Sequence, residues 1–215
     1  MTEHTSKKFD AELEGIRTRV LQMGGMVELQ IVKAMEGLGG GDLLLIDQVI
    51  ENDNRVNLLE IELDEACNQV IAKRQPTAVD LRMVSTVQKT ITDLERIGDE
   101  AKKIAKTAKQ LHTATSPFMP QIRLSHIADA VVDMLRTALD AYARLDTIAA
   151  AQVVRHDKEV DAEFKGIMRQ LITYMMEDPR TISQAIELMF VAKSVERIGD
   201  HAKNIAEYVV YMVKG

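Results

Sequence analysis

The sequence predicts an all-α protein built as two tandem three-helix bundles related by internal duplication, over residues 1–113 and 121–215. Three observations predict it. Apolar residues recur in steps of three and four over long stretches, as in amphipathic helices, and no strand-like alternation occurs. The composition, 46% hydrophobic with 4% aromatic, no Trp and 12 Met, is the palette of helix–helix packing. A segment also repeats: Glu95-Arg96-Ile97-Gly98-Asp99-Glu100-Ala101-Lys102-Lys103-Ile104-Ala105 returns as Glu196-Arg197-Ile198-Gly199-Asp200-His201-Ala202-Lys203-Asn204-Ile205-Ala206, 101 positions on. Self-similarity at a fixed spacing marks two units of one plan.

The first helix is expected over about 6–38, with Phe9, Leu13, Ile16, Val20, Met23 and Val27 on one face and a weak point at Gly24-Gly25. Gly39-Gly40-Gly41 ends it and Asp42 is placed to cap a second helix running to about 75, where Pro76 intervenes. The third, about 77–112, has the cleanest seam: Met83, Val87, Thr90, Leu94, Ile97, Ala101, Ile104, Ala108 and Leu111. Residues 113–120, with Pro117 and Pro120, read as the linker between units. The second unit repeats the plan with helices over about 121–146, 148–177 and 180–213. No Gly or Pro marks the first of those boundaries, whereas Asp178-Pro179 marks the second.

The totals narrow the function. Lys+Arg at 27 against Asp+Glu at 33 gives a net charge of −6, which disfavours a nucleic-acid binder. One cysteine, Cys67, excludes a disulfide framework and reads as a small core residue. With no secretory signal in the polar first ten residues and no apolar run long enough to span a bilayer, a cytoplasmic location is expected. There is no phosphate loop, nucleophile elbow or zinc spacing, so no enzymatic activity is expected.

The candidate chemistry lies in the repeat. Glu95/Asp99 and Glu196/Asp200 each place two carboxylates one turn apart on one helix face, which opposes the helix by a few tenths of a kcal/mol. The Gly between them costs roughly 1 kcal/mol more. A second pair lies on the preceding helix: Asp157/Asp161 in the second unit and Asp53/Asn57 in the first. In an antiparallel hairpin, residues equidistant from the turn face each other. The midpoints of the paired motifs are equidistant from Pro76 in one unit and from Asp178-Pro179 in the other, so each hairpin should bring its pairs together. Converging carboxylates need protons or a cation. All-oxygen donors favour hard ions, namely Mg²⁺, Mn²⁺ or ferric iron. The competing reading is a salt-bridge face, with Arg96 on Asp93, Asp99 or Glu100 and Arg197 on Asp200. Asn57 withholds one charge, so the first cluster should bind a cation more weakly than the second. A metal-storage or di-metal carboxylate enzyme is the alternative function. Its Glu-x-x-His signature is missing, since Ile198 precedes His201 and Val153 precedes His156 by three. His4, His112 and His126 read as surface residues.

The whole chain resembles the PhoU family of phosphate-transport accessory proteins, through Glu-Arg-Ile-Gly-Asp-x-Ala-Lys-x-Ile-Ala repeated opposite Asp-x₃-Asp/Asn. The resemblance implies metal clusters held by Asp53, Glu95 and Asp99 in the first unit and by Asp157, Asp161, Glu196 and Asp200 in the second. It also implies a non-enzymatic negative regulator of the phosphate regulon and of high-affinity phosphate uptake. The implied partners are the phosphate transporter's ATPase subunit and the regulon's sensor histidine kinase, with a homodimer usual and membrane contact only through partners.

Overall fold

The computed structural model describes residues 2–114 and 119–215, with side chains from residue 9 onward. Six long helices make up nearly all of it: α1 (Thr2–Gly40), α2 (Leu43–Arg74), α3 (Ala78–Thr113), α4 (Ser125–Arg144), α5 (Thr147–Glu177) and α6 (Ile182–Lys214). A single 3-10 turn, Pro179–Thr181, sits between α5 and α6. Among the described residues there is no strand, and no helix is long and apolar enough to cross a membrane. Of the expected linker, residues 115–118, including Pro117, lie outside the described residues.

Turn chemistry explains the helix ends. The Asp42 carboxylate accepts hydrogen bonds from the amides of Leu44 (3.0 Å) and Leu45 (3.1 Å), capping α2 as expected. Asp146 does the same for α5, accepting from Ile148 (2.8 Å) and Ala149 (3.1 Å). That cap, with Leu145 turned into the left-handed region at φ 56°, makes the α4–α5 break that no Gly or Pro announced. The fourth helix is accordingly shorter than expected, starting at Ser125 and ending at Arg144.

α1 continues unbroken through Gly24-Gly25. At Gly24 the glycine serves packing instead: a Cβ there would lie 2.6 Å from Leu139 Cδ1 on α4. The three helices of each unit pack on one another, and the units join where α3 lies on α6 and α1 on α4. The buried apolar side chains form one continuous cluster through both units, including Val27, Ile31, Leu63, Leu94 and Ile97 in the first and Ile127, Leu135, Leu171, Val195 and Ile205 in the second. Its small residues, Ala101, Ala105 and Ala108 on α3 with Ala202 and Ala206 on α6, let long helices approach closely. Polar contacts span the two units both at the α3–α6 seam and between α1 and α4, where Arg17 donates to the Ala143 carbonyl and Arg136 to Glu28.

Candidate functional site

In each unit the last two helices form the antiparallel hairpin that the turn positions require, and the acidic motifs meet across it. In the first unit α2 presents Asp53, Asn57 and Glu60 along one face, at spacings of four and three. α3 answers with Glu95, Asp99 and Lys102. Asp53 is fully buried, and one of its oxygens, Oδ2, accepts from Lys102 Nζ at 2.7 Å. Its other oxygen, Oδ1, is buried without a partner, as is Asn57 Oδ1. Burial, then the charges of Asp99, Glu60 and Asp53, raise the proton affinity of Glu95 above the ordinary glutamate value. The Lys102 ammonium is strengthened in turn, first by its hydrogen bond to Asp53.

The second unit repeats the arrangement. Asp157 is buried and accepts from Lys203 Nζ at 2.6 Å. Burial, then Glu196 and Asp157, raise Asp200 above its ordinary value, against the opposing charges of Lys193 and Lys203. Glu196 accepts from Lys193 at 2.5 Å. Asp161, half-buried one turn along α5, is not among the groups acting on Asp200.

The structure thus brings Asp53, Glu95 and Asp99 together in one unit and Asp157, Glu196 and Asp200 in the other. It adds Glu60, which sequence reading passed over. Glu60 has no acidic counterpart: aligning Asp53 with Asp157 places it opposite Phe164. It supplies the negative charge that Asn57 withholds, so Asp53, Glu60, Glu95 and Asp99 make four interacting carboxylates in the first unit. The two lysines were also passed over as partners, although both stand seven residues beyond the motif glutamate, on the same helix face.

Salt bridges differ from the pairing expected of the arginines. Arg96 reaches Asp93 at 3.8 Å, as one of the options had it. Arg197 turns away from Asp200 and reaches across the seam to Glu100 at 3.1 Å. Lys103 also bonds Glu100, at 2.9 Å. Asp93, likewise buried, meets His201 Nδ1 at 2.7 Å and accepts from Asn204 at 3.4 Å, so the repeated motifs also bind the two units to each other. Burial, then the Asp93 carboxylate, push the Tyr208 hydroxyl up to about 12. Burial, followed by Asp64, likewise raises the Cys67 thiol to about 12, which keeps it un-ionised and inert at neutral pH.

As folded, no three His, Cys, Asp or Glu side chains among the described residues stand close enough together to hold one metal ion. Lys102 and Lys203 hold the cationic positions. In kind, the donors suit a hard cation: they are all oxygen, they carry excess negative charge, and Asp53 Oδ1 is buried with nothing to satisfy it. Ligation through Asp53 or Asp157 would require the lysine to give way.

Comparison with known proteins follows the same duplication. The family model described as the PhoU domain matches twice, at residues 20–108 and 124–209. The chain belongs to the PhoU family. It is 49% identical to the phosphate-specific transport system accessory protein PhoU of Edwardsiella tarda, with 100% of this chain and 88% of that protein covered. It is 48% identical to the protein of the same name from Escherichia coli K12, covering 100% and 89%. The crystal structure of PhoU from Pseudomonas aeruginosa superposes with a TM-score of 0.92 at 47% identity, over 96% of this chain and 99% of that one. The phosphate transport system regulatory protein PhoU from Streptococcus pneumoniae superposes at 0.89 with 25% identity, over 96% and 97%. PhoU relatives thus share both the fold and nearly its full length.

Proposed function

We propose that this chain is a non-enzymatic regulator of phosphate transport, acting as a negative regulator of the phosphate regulon and modulating high-affinity phosphate uptake. The observation that carries the reading is whole-length similarity near half identity to proteins named phosphate-specific transport system accessory protein PhoU. The hairpin chemistry supports a role by contact: Asp53, Asp157 and Glu196 are each engaged with a lysine. The partners are the transporter's ATPase subunit and the regulon's sensor histidine kinase, both reached from the cytoplasm by a homodimer.

The acidic hairpins are the cation sites of this regulator. Asp53, Glu95 and Asp99, joined by Glu60, serve the first. Asp157, Asp161, Glu196 and Asp200 serve the second. A Mg²⁺, Mn²⁺ or iron ion, when bound, supplies positive charge that offsets the burial and carboxylate repulsion raising Glu95 and Asp200. The chain's own contribution is to hold the carboxylates on rigid helices and to keep a lysine ready to replace the ion.

Affinity capture from phosphate-replete cells tests the contact mechanism. Tagged chain should recover the transporter ATPase and the sensor kinase. Recovery of neither, with the tagged chain itself folded and abundant, would overturn it.

A further inference from the structure

Gln30, on α1, is buried to 4% exposure, and neither its amide oxygen nor its amide nitrogen has a hydrogen-bond partner. Buried polar side chains are nearly always satisfied, because each orphaned group forfeits its hydration without return. Its position says what the missing partner is. A Cβ on Gly98 would lie 3.2 Å from Gln30 Oε1, 3.4 Å from Val56 Cγ1 and 3.5 Å from Asp53 Oδ1, so the two unpartnered oxygens border the space that this glycine leaves open beside a valine methyl. Asn57 Oδ1, one turn from Asp53 on α2, is a further unpartnered buried oxygen of the same unit, as is Thr86 Oγ1 on α3. Two acceptor oxygens facing one space repel unless a hydrogen-bond donor or a cation stands between them.

The second unit shows the alternative. There the same point, beside Gly199, is lined by Val131 Cγ1 at 3.3 Å, Val160 Cγ1 at 3.5 Å and Met134 Cε at 3.9 Å. Val131 stands 101 positions after Gln30, the spacing of the main repeat. Val56 and Val160 are counterparts at this point, so the units differ in what faces the valine: Val131 and Met134 in the second, the unpartnered oxygens of Gln30 and Asp53 in the first.

We propose that Gln30 is a binding residue of the first-unit site: its amide oxygen joins Asp53 and Asn57 in holding a hard divalent cation, so this site is built from three helices and the second from two. The inference rests on the reading of the hairpins as cation sites. The neutral donors Gln30 and Asn57 give the first unit a site of different composition, reaching inward from the hairpin surface toward α1. Replacement of Lys102 by the ion frees Asp53 Oδ2 to join it.

The test uses the full-length chain with the second site silenced by D157A/D200A, titrated with Mn²⁺ by calorimetry and by the electron-spin resonance signal of free Mn²⁺. Gln30→Val installs the residue type of the second unit and should weaken Mn²⁺ binding about ten- to a hundredfold. The same substitution should raise the melting temperature of the metal-free protein, because it removes an unsatisfied amide, and lower the gain in melting temperature that Mn²⁺ gives. Gln30→Glu, which keeps an oxygen donor and adds charge, should bind Mn²⁺ at least as tightly as the parent. Equal Mn²⁺ affinity in the parent and Gln30→Val would overturn the assignment and leave Gln30 the partner of an ordered water only. Absence of Mn²⁺ binding by the unmodified chain would instead overturn the cation reading on which it rests.

Discussion

Lys102 and Lys203 decide how each acidic hairpin exists without metal. Asp53 and Asp157 are carboxylates removed from water, and each has a lysine ammonium within 2.7 Å. Breaking such a pair from one side leaves a buried charge uncompensated, at about 3–5 kcal/mol. Lys102→Met should therefore destabilise the metal-free chain by about that amount, and K102M/D53N by less than the sum of its parts. Chemical denaturation of the three variants reads both. A loss under about 1 kcal/mol in K102M would show that Asp53 does not depend on the lysine. Glu95 and Asp200 act in the opposite sense. Their folded proton affinities lie above the unfolded values of 4.5 and 3.8, so their contribution is complete below those values and is lost as pH rises through the folded ones. The variant E95Q/D200N should thus gain on the wild type in melting temperature between about pH 4.5 and about pH 7, in metal-free buffer. A difference that stays constant with pH would contradict this. Residue by residue, legibility in the sequence followed the duplication. Glu95, Asp99, Glu196 and Asp200 were visible because each occurs twice at one spacing. Glu60 and Gln30 were not, because their counterparts are Phe164 and Val131, and a position that differs between the units gives self-comparison nothing to find.

Among the elements, α1 carries the sharpest contrast. Gly24 and Gly25 are adjacent in one continuous helix, yet a Cβ at Gly25 would meet nothing within 4 Å while one at Gly24 meets both methyls of Leu139. Helix propensity alone favours alanine at both by about 1 kcal/mol. Gly25→Ala should show that gain. Gly24→Ala should lose it to overpacking against α4, which typically costs about 1–3 kcal/mol, and should show the gain when introduced into the L139A background, read against L139A alone. Thermal melts of G24A, G25A, L139A and the G24A/L139A double distinguish the cases, and equal stabilisation by G24A and G25A would contradict the packing account. The helices themselves were legible because their apolar periods are long and Asp42, Pro76 and Pro179 are explicit stop and start signals. The α4–α5 break was not, since it depends on Leu145 adopting a left-handed conformation, a choice made by the fold and capped by Asp146. Read beside Asp42, however, Asp146 was a signal: the two stand the same 104 residues apart as Asp53 and Asp157.

For the molecule as a whole, the α3–α6 seam links the two acidic hairpins physically. The helix that carries Glu95 and Asp99 on one face carries Asp93 and Glu100 toward α6, where they meet His201 and Arg197 of the other repeat. Lys89, also on α3, approaches the rings of Tyr208 (5.6 Å) and Tyr211 (5.4 Å), and the Arg82 guanidinium lies 5.6 Å from Tyr211. These contacts between units were beyond sequence reading because they join residues about a hundred positions apart whose partners are not the same in the two copies. The claim that the molecule is a regulator is tested most directly by a phosphate-responsive reporter in cells that lack this chain, grown in phosphate-rich medium. The account predicts that the reporter stays on in the deletion strain and is shut off again when the intact chain is restored. A reporter that remains repressed without the chain would contradict it.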